Sequence, residues 1–134
     1  MPSVAVVILN WNGKSFLEKF LPSVCRSTYG NLQLYVADNA STDDSVAFTR
    51  THFPEIKIIQ NPSNNGFAGG YNEALQHVQA DIYVLLNQDV EVESGWIEPV
   101  IAMMEREPDI VACQPKLRAY ADPGEFEYAG AAGG

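Results

Sequence analysis

Basic residues are scarce in this chain. Lys and Arg number 8 against 17 Asp and Glu, which leaves a formal net charge of −9 over 134 residues. An acidic surface repels phosphate backbones, so nucleic acid is not an expected partner. Cysteine and histidine are equally thin, at two each. No CxxC pair and no His/Cys cluster occurs, which argues against a zinc site. Cys25 and Cys113 lie in apolar patterns and read as two buried thiols. No run of 18 apolar residues exists, so no transmembrane segment is expected. The N-terminal stretch MPSVAVVILNWNG lacks a basic leader and a small-residue cleavage site, and it reads as a first strand. The cytoplasm is then the default location. Two phosphate-binding signatures are also missing: no GxGxxG follows the first strand, and no GxxxxGK[ST] occurs. A dinucleotide oxidoreductase and a P-loop enzyme are thereby disfavoured.

What is present suits one globular domain. Hydrophobic residues make up 46 % and charged residues 19 %, too apolar for a disordered chain and long enough to bury a core. Residues 4–9 (VAVVIL) form a continuous apolar run of strand length, the pattern of a parallel strand covered on both faces. The spacing of Phe16, Leu17, Phe20, Leu21 and Val24 predicts a helix over 15–27, with Pro22 expected to kink or divide it. Residues 32–37 read as a second strand. Ser41 with Asp44 three residues on resembles a capping box, so a helix is expected from there to about His52. Residues 56–59 give a third strand, 69–79 a helix, 82–86 a fourth strand and 95–107 a helix. A fifth strand is expected at 110–113. The tail 129–134 carries no core-forming side chain and is expected to be flexible. Strands alternating with helices specify an α/β fold with a mainly parallel sheet.

In such sheets ligands gather at the carboxyl ends of the strands, at the switch point of the strand order. Three strands end there in polar residues: Asn10 and Asn12 after the first, Asp38 and Asn39 after the second, Asn87 and Asp89 after the fourth. Each alone is an ordinary turn residue; their convergence on one rim points to a site. The segment Asn64-Asn65-Gly66-Phe67-Ala68-Gly69-Gly70-Tyr71-Asn72 adds glycines that permit close backbone approach, followed by a helix N-terminus suited to an anion. Asp89 at a strand end could hold Mg²⁺ or Mn²⁺, which prefer oxygen ligands. His52 and His77 have no partner in sequence and read as surface residues.

Four segments in order resemble family-2 glycosyltransferases of the GT-A fold, and especially their rhamnosyltransferase-like branch. They are Val6-Val7-Ile8-Leu9-Asn10-Trp11-Asn12-Gly13, Val36-Ala37-Asp38-Asn39-Ala40-Ser41-Thr42-Asp43, Asn65-Gly66-Phe67-Ala68-Gly69-Gly70-Tyr71-Asn72 and Leu85-Leu86-Asn87-Gln88-Asp89. The resemblance implies a GT-A domain over 1–134 that binds a nucleoside-diphosphate sugar, UDP- or dTDP-linked. Leu9, Asn10 and Asn12 would line the base and ribose, and Asp38 with Asn39 would hydrogen-bond them. Asn65, Gly66, Gly70 and Asn72 would enclose the nucleotide. Asn87, Gln88 and Asp89 stand where the family carries its Asp-x-Asp motif, with Asp89 as the retained metal ligand. The uncharged Asn87 departs from that motif and implies weaker or more selective metal binding.

The implied reaction moves the sugar to a hydroxyl of a glycan or lipid-linked acceptor with inversion, in cell-surface polysaccharide synthesis. A lipid-linked acceptor would be met at the inner face of the membrane. The general base is expected beyond residue 134, because Asp109, Asp122, Glu125 and Glu127 read as surface carboxylates. On that reading the 134-residue chain by itself binds a nucleotide without transferring sugar. Two other readings compete: a non-catalytic nucleotide-sugar-binding module of the same fold, and a sugar nucleotidyltransferase. The last would want a basic Gly-rich loop after the first strand, where this chain supplies only Lys14.

Overall fold

A computed structural model describes residues 2–106. Eight elements alternate along them: β1 (Val4–Asn10), α1 (Lys14–Cys25), β2 (Leu32–Asp38), α2 (Ser45–His52), β3 (Lys57–Gln60), α3 (Gly66–Leu75), β4 (Ile82–Asn87) and α4 (Ile97–Arg106). The strands form one sheet in the order β3-β2-β1-β4, and every pairing is parallel. The chain builds outward from β1 through β2 to β3, then crosses back to place β4 on the other side of β1. The strand order therefore reverses between β1 and β4, where ligand crevices open in sheets of this kind.

All seven residues of β1 are buried, as a central strand with layers on both faces requires. Successive side chains point to opposite faces. Val4, Val6 and Ile8 meet Leu17, Leu21 and Val24 of α1 and Ile97 and Ile101 of α4. Ala5, Val7 and Leu9 meet Tyr71 and Ala74 of α3, together with Val78. Fully burying one such aliphatic side chain contributes about 1.5–3 kcal/mol, so this strand anchors both halves of the core.

Several elements depart from the patterns in the sequence. α1 runs undivided through Pro22. Proline removes one backbone hydrogen bond there, and burial of Leu17, Phe20, Leu21 and Val24 holds the helix nonetheless. α2 starts at Ser45, not just after Ser41. Ser41 is claimed by Asp38: its N–H and its hydroxyl both donate to that carboxylate. The N-cap is Asp44, whose side chain makes no cap bond; Asp43 before it accepts from the Ser45 N–H at 3.1 Å. α3 begins at Gly66, earlier than its glycine-rich start suggested, and ends at Leu75. The strand expected at 110–113, Cys113, the four carboxylates from Asp109 to Glu127 and the tail 129–134 lie outside the described residues.

Cys25 ends α1, half-buried. Burial, and then a hydrogen bond to Glu55 and its charge, push the thiol up to about 12. Such a thiol exposes only about one part in ten thousand as thiolate at pH 8, against roughly a quarter for a free cysteine. In a Cys113→Ser background, alkylation of Cys25 at pH 8 should run at least about a hundredfold slower than that of a free thiol. A rate near that of free cysteine would show that this corner of the core opens readily.

Candidate functional site

The carboxyl ends of β1 and β2 lie side by side, with Asn10 paired in register with Asp38. Asp38 is 1 % exposed, a placement a carboxylate tolerates only when its oxygens are hydrogen-bonded. They are. Oδ1 accepts from Asn10 Nδ2 at 3.0 Å and from Ser41 Oγ at 2.6 Å. Oδ2 accepts from the Ser41 N–H at 3.0 Å and from Gln60 Nε2 at 2.8 Å. A carboxylate offers about four acceptor positions, so protein groups take up the capacity of Asp38. The backbone bends to make this possible. Ala40 sits at φ 64°, a left-handed conformation that costs a side-chain-bearing residue roughly 1–2 kcal/mol. Asn10, also buried, donates further to Ser45 Oγ at 2.8 Å and receives the Gly13 N–H on its Oδ1 at 3.2 Å. Asn10 and Asp38 thus tie β1, β2, the start of α1 and the start of α2 together.

A second group of amides continues the frame toward β3. Asn39 is buried; its Nδ2 donates to Asn64 Oδ1 at 3.0 Å and to the Gly66 carbonyl at 3.2 Å. Its Oδ1 accepts from Asn61 Nδ2 at 3.1 Å. Gly70 packs so close to this frame that an added Cβ would lie 2.8 Å from Leu9 Cδ1 and 3.0 Å from Asn39 Nδ2. That close approach is the reason for glycine there. Asn61, Asn64, Ser41 and Gln60 belong to the frame although nothing in the hydrophobic pattern marks them. Turn-forming Asn and Ser look alike whether they serve a loop or a site.

Of the other residues singled out in the sequence, Asn12, Asn65, Gly66, Asn72, Asn87 and Asp89 are exposed, Gln88 is partly buried, and Leu9 and Gly70 are buried. Asn12, at φ 48°, spends its side-chain oxygen on the Thr42 and Asp43 N–H groups and so braces the 41–43 loop. Burial raises the Asp43 carboxyl, but hydrogen bonds from Ser45 and Lys14 outweigh it and bring the group below its ordinary value. Asn65 and Gly66 are exposed at the start of α3. Asn72 is exposed as well, yet α3 faces the sheet with Gly70, Tyr71 and Ala74. At 100° per residue, Asn72 projects away from that face. Asn87 ends β4, followed by Gln88 and Asp89 in a turn. Gln88 lies against Gly13, where an added Cβ would meet its Oε1 at 2.2 Å. That oxygen is buried without a donor.

Asp89 is exposed and makes no hydrogen bond or ion pair with other described residues. No group of three or more His, Cys, Asp or Glu that could hold a metal occurs among the described residues. A cation at Asp89 would need its other ligands from outside the described residues. Lys14, the nearest basic residue in sequence to the rim, is paired with Asp44 at 3.1 Å. Trp11, which pattern analysis placed only within a motif, is 51 % exposed directly after β1. It offers an aromatic face beside Asn10 and Asn12.

The fold is a parallel α/β sheet with a polar rim at its switch point, where ligands bind in sheets of this kind. Its solved counterparts are GT-A glycosyltransferases. A mannosyltransferase from Pyrobaculum calidifontis, solved with GDP-Man and Mn²⁺, superposes with a TM-score of 0.77 at 21 % identity, covering 88 % of this chain and 36 % of that one. Residues 5–130 match the model of glycosyl transferase family 2, and the chain belongs to that family. An uncharacterized glycosyltransferase of Haemophilus influenzae is 28 % identical over 118 residues, covering 83 % of this chain and 35 % of the relative. The N-acetylglucosaminyl-diphospho-decaprenol L-rhamnosyltransferase of Mycobacterium tuberculosis is 24 % identical over 124 residues, covering 84 % and 40 %. The chain thus spans well under half the length of these relatives.

Two substitutions test the frame. Asp38→Asn keeps the shape but places N–H donors where donors already point. It should lower stability to urea by about 2–4 kcal/mol, and a loss under about 0.5 kcal/mol would show that Asp38 is no keystone. Ala40→Gly removes the left-handed strain and should raise stability by about 1 kcal/mol despite the freer unfolded chain. A lower melting temperature would contradict the strain.

Proposed function

We propose that this chain is the donor-binding part of an inverting glycosyltransferase. On this reading it holds a nucleoside-diphosphate sugar, UDP- or dTDP-linked, with Mg²⁺ or Mn²⁺. The observation that carries the reading is the division of the rim. A buried Asn10–Asp38–Asn39 frame underlies an exposed surface, and that surface ends at a free carboxylate, Asp89, beside the switch point. A frame this well satisfied is preorganised and suits fixed recognition.

The nucleotide would lie across the rim, with its base and ribose over the ends of β1 and β2 and its diphosphate toward β4. Trp11 would offer its ring to the base. Asn65 and Gly66 would border the nucleoside, and the Asn87 and Gln88 amides would meet ribose or sugar hydroxyls. Asp38 and Asn39 would act from below by holding strand ends and loop. Asp89 would hold the metal, whose charge would offset that of the departing diphosphate. Inversion asks for a general base that deprotonates the acceptor hydroxyl, and none of the described residues is assigned that role. The acceptor would be a glycan or a lipid-linked saccharide, reached at the inner face of the membrane. The name of the M. tuberculosis relative, which carries a diphospho-decaprenol acceptor, supports that class. Donor hydrolysis or sugar transfer distinguishes this enzyme reading from a binding module.

The metal gives the sharpest test. Asp89 alone binds a cation weakly, and a diphosphate beside an acidic rim is repelled without one. Metal and nucleotide should therefore bind cooperatively, each raising the other's affinity by the same factor. Asp89→Asn keeps the shape, removes the charge and should abolish that factor with the fold intact. Calorimetric titrations of UDP, dTDP and GDP, with Mn²⁺ and with a chelator, on both proteins decide it. Equal binding of the parent in chelator, or a full metal effect in Asp89→Asn, removes Asp89 from the site.

A further inference from the structure

Asn61 follows β3 and is 2 % exposed. Its backbone N–H donates to the Asp38 carbonyl at 2.8 Å, which carries the β2–β3 pairing one residue past Gln60. Its side-chain Nδ2 donates twice, to Asn39 Oδ1 at 3.1 Å and to the Gly70 carbonyl at 3.1 Å. One amide thus joins the ends of two strands to the second turn of α3. The other end of the same amide, Oδ1, is buried and accepts nothing. Leaving a buried acceptor unpaired is unfavourable. The residue is therefore held in place for what its N–H₂ group does.

That group fixes the orientation of Asn39. With its Oδ1 held by Asn61, Asn39 turns both of its own N–H bonds toward the loop that leads into α3, onto Asn64 Oδ1 and the Gly66 carbonyl. Asn64 in turn receives the Gly66 N–H at 2.9 Å, with Gly66 at φ 81°. The bond to the Gly70 carbonyl holds α3 where Gly70 touches Leu9 and Asn39. The 64–66 loop has exposed residues throughout, so its position rests on these amides and not on apolar burial.

We infer that Asn61 is a positioning residue for nucleotide binding, which acts through Asn39 to hold the 64–66 loop against the carboxyl end of β2. The inference rests on the proposed placement of the nucleoside over β1 and β2. It makes a specific demand: loss of Asn61 weakens the nucleoside side of the site and leaves the metal side, at β4, alone. Strand order separates the two, since β1 lies between β2 and β4.

The experiment is calorimetric titration of UDP, dTDP and GDP, with and without Mn²⁺, on the parent, Asn61→Ala, Asn39→Ala and the double variant. Asn61→Ala should weaken the preferred nucleotide about tenfold, the equivalent of one or two lost hydrogen bonds. The factor by which Mn²⁺ improves binding should stay within about twofold of the parent's. Because Asn61 acts through Asn39, the double variant should bind little worse than Asn39→Ala alone. Should Asn61→Ala fail to fold, Asn61→Ser keeps one donor and is read in the same titrations. Parent-like affinity with only a lowered melting temperature would make Asn61 a purely structural residue and overturn the inference. Additive losses in the double variant, or a collapsed Mn²⁺ factor, would overturn it too. A parent that binds none of the three nucleotides removes the proposed function first and this inference with it.

Discussion

The bond between Asn10 and Asp38 is the constraint on which the rest depends. It crosses the carboxyl ends of two adjacent parallel strands, inside the protein, at the end of the sheet where ligands of open α/β sheets gather. A buried carboxylate needs donors on every side, and meeting that need recruits residues from four separate segments. Asn10 comes from β1, Ser41 from the loop before α2 and Gln60 from β3, while Ser45 at the start of α2 joins through Asn10. The left-handed Ala40 is part of the same solution, because it turns Ser41 back onto the carboxylate. Local strain is retained because the network around it leaves no better arrangement.

The network divides the rim into buried residues that support it and exposed residues that face outward. Asn10, Asp38 and Asn39 hold protein partners and shape the rim from within. Asn65, Asn87, Asp89 and Trp11 are exposed and retain capacity for something else. Gln88 stands between these groups. Its amide is tucked into a notch that exists because residue 13 has no side chain, and its oxygen remains unpaired there. A hydrogen-bonded frame below and exposed polar groups above are what the proposed binding role asks for.

Much of the fold was legible because its strongest signals are apolar. The run VAVVIL could only be a strand covered on both faces, and β1 is one. The alternation of elements gave the parallel sheet, and strand ends gave the rim. Polar residues were harder to read, for a physical reason. Ser41 has the right spacing from Asp44 for a helix cap, but a nearby buried carboxylate outcompetes the helix for it. Glycine is a poor helix former on its own, so residues 66–68 read as loop, whereas the helix begins at Gly66 and packs Gly70 on Leu9. Asn72 sits in a motif segment, yet helix geometry turns it outward. Asn61 carries no periodic signal at all. Its role depends on which loop lies across from it, and that is a property of the folded chain.

Charge adds the last step. A diphosphate needs positive partners, and this chain is acidic with few to give. Lys14 stands at the start of α1 but is held by Asp44. The carboxylate of Asp38 is compensated by dipoles, with no cation among its hydrogen-bond donors. Those donors are fixed, so they cannot turn to a phosphate. Asp89 would add to the repulsion if it faced the diphosphate bare. If a diphosphate lies there as proposed, a divalent cation shared between Asp89 and phosphate oxygens would bring the missing positive charge with the ligand. On the proposed reading such a site would disfavour the free nucleotide and favour the metal-bound one, so the scarcity of basic residues would act as a means of selection.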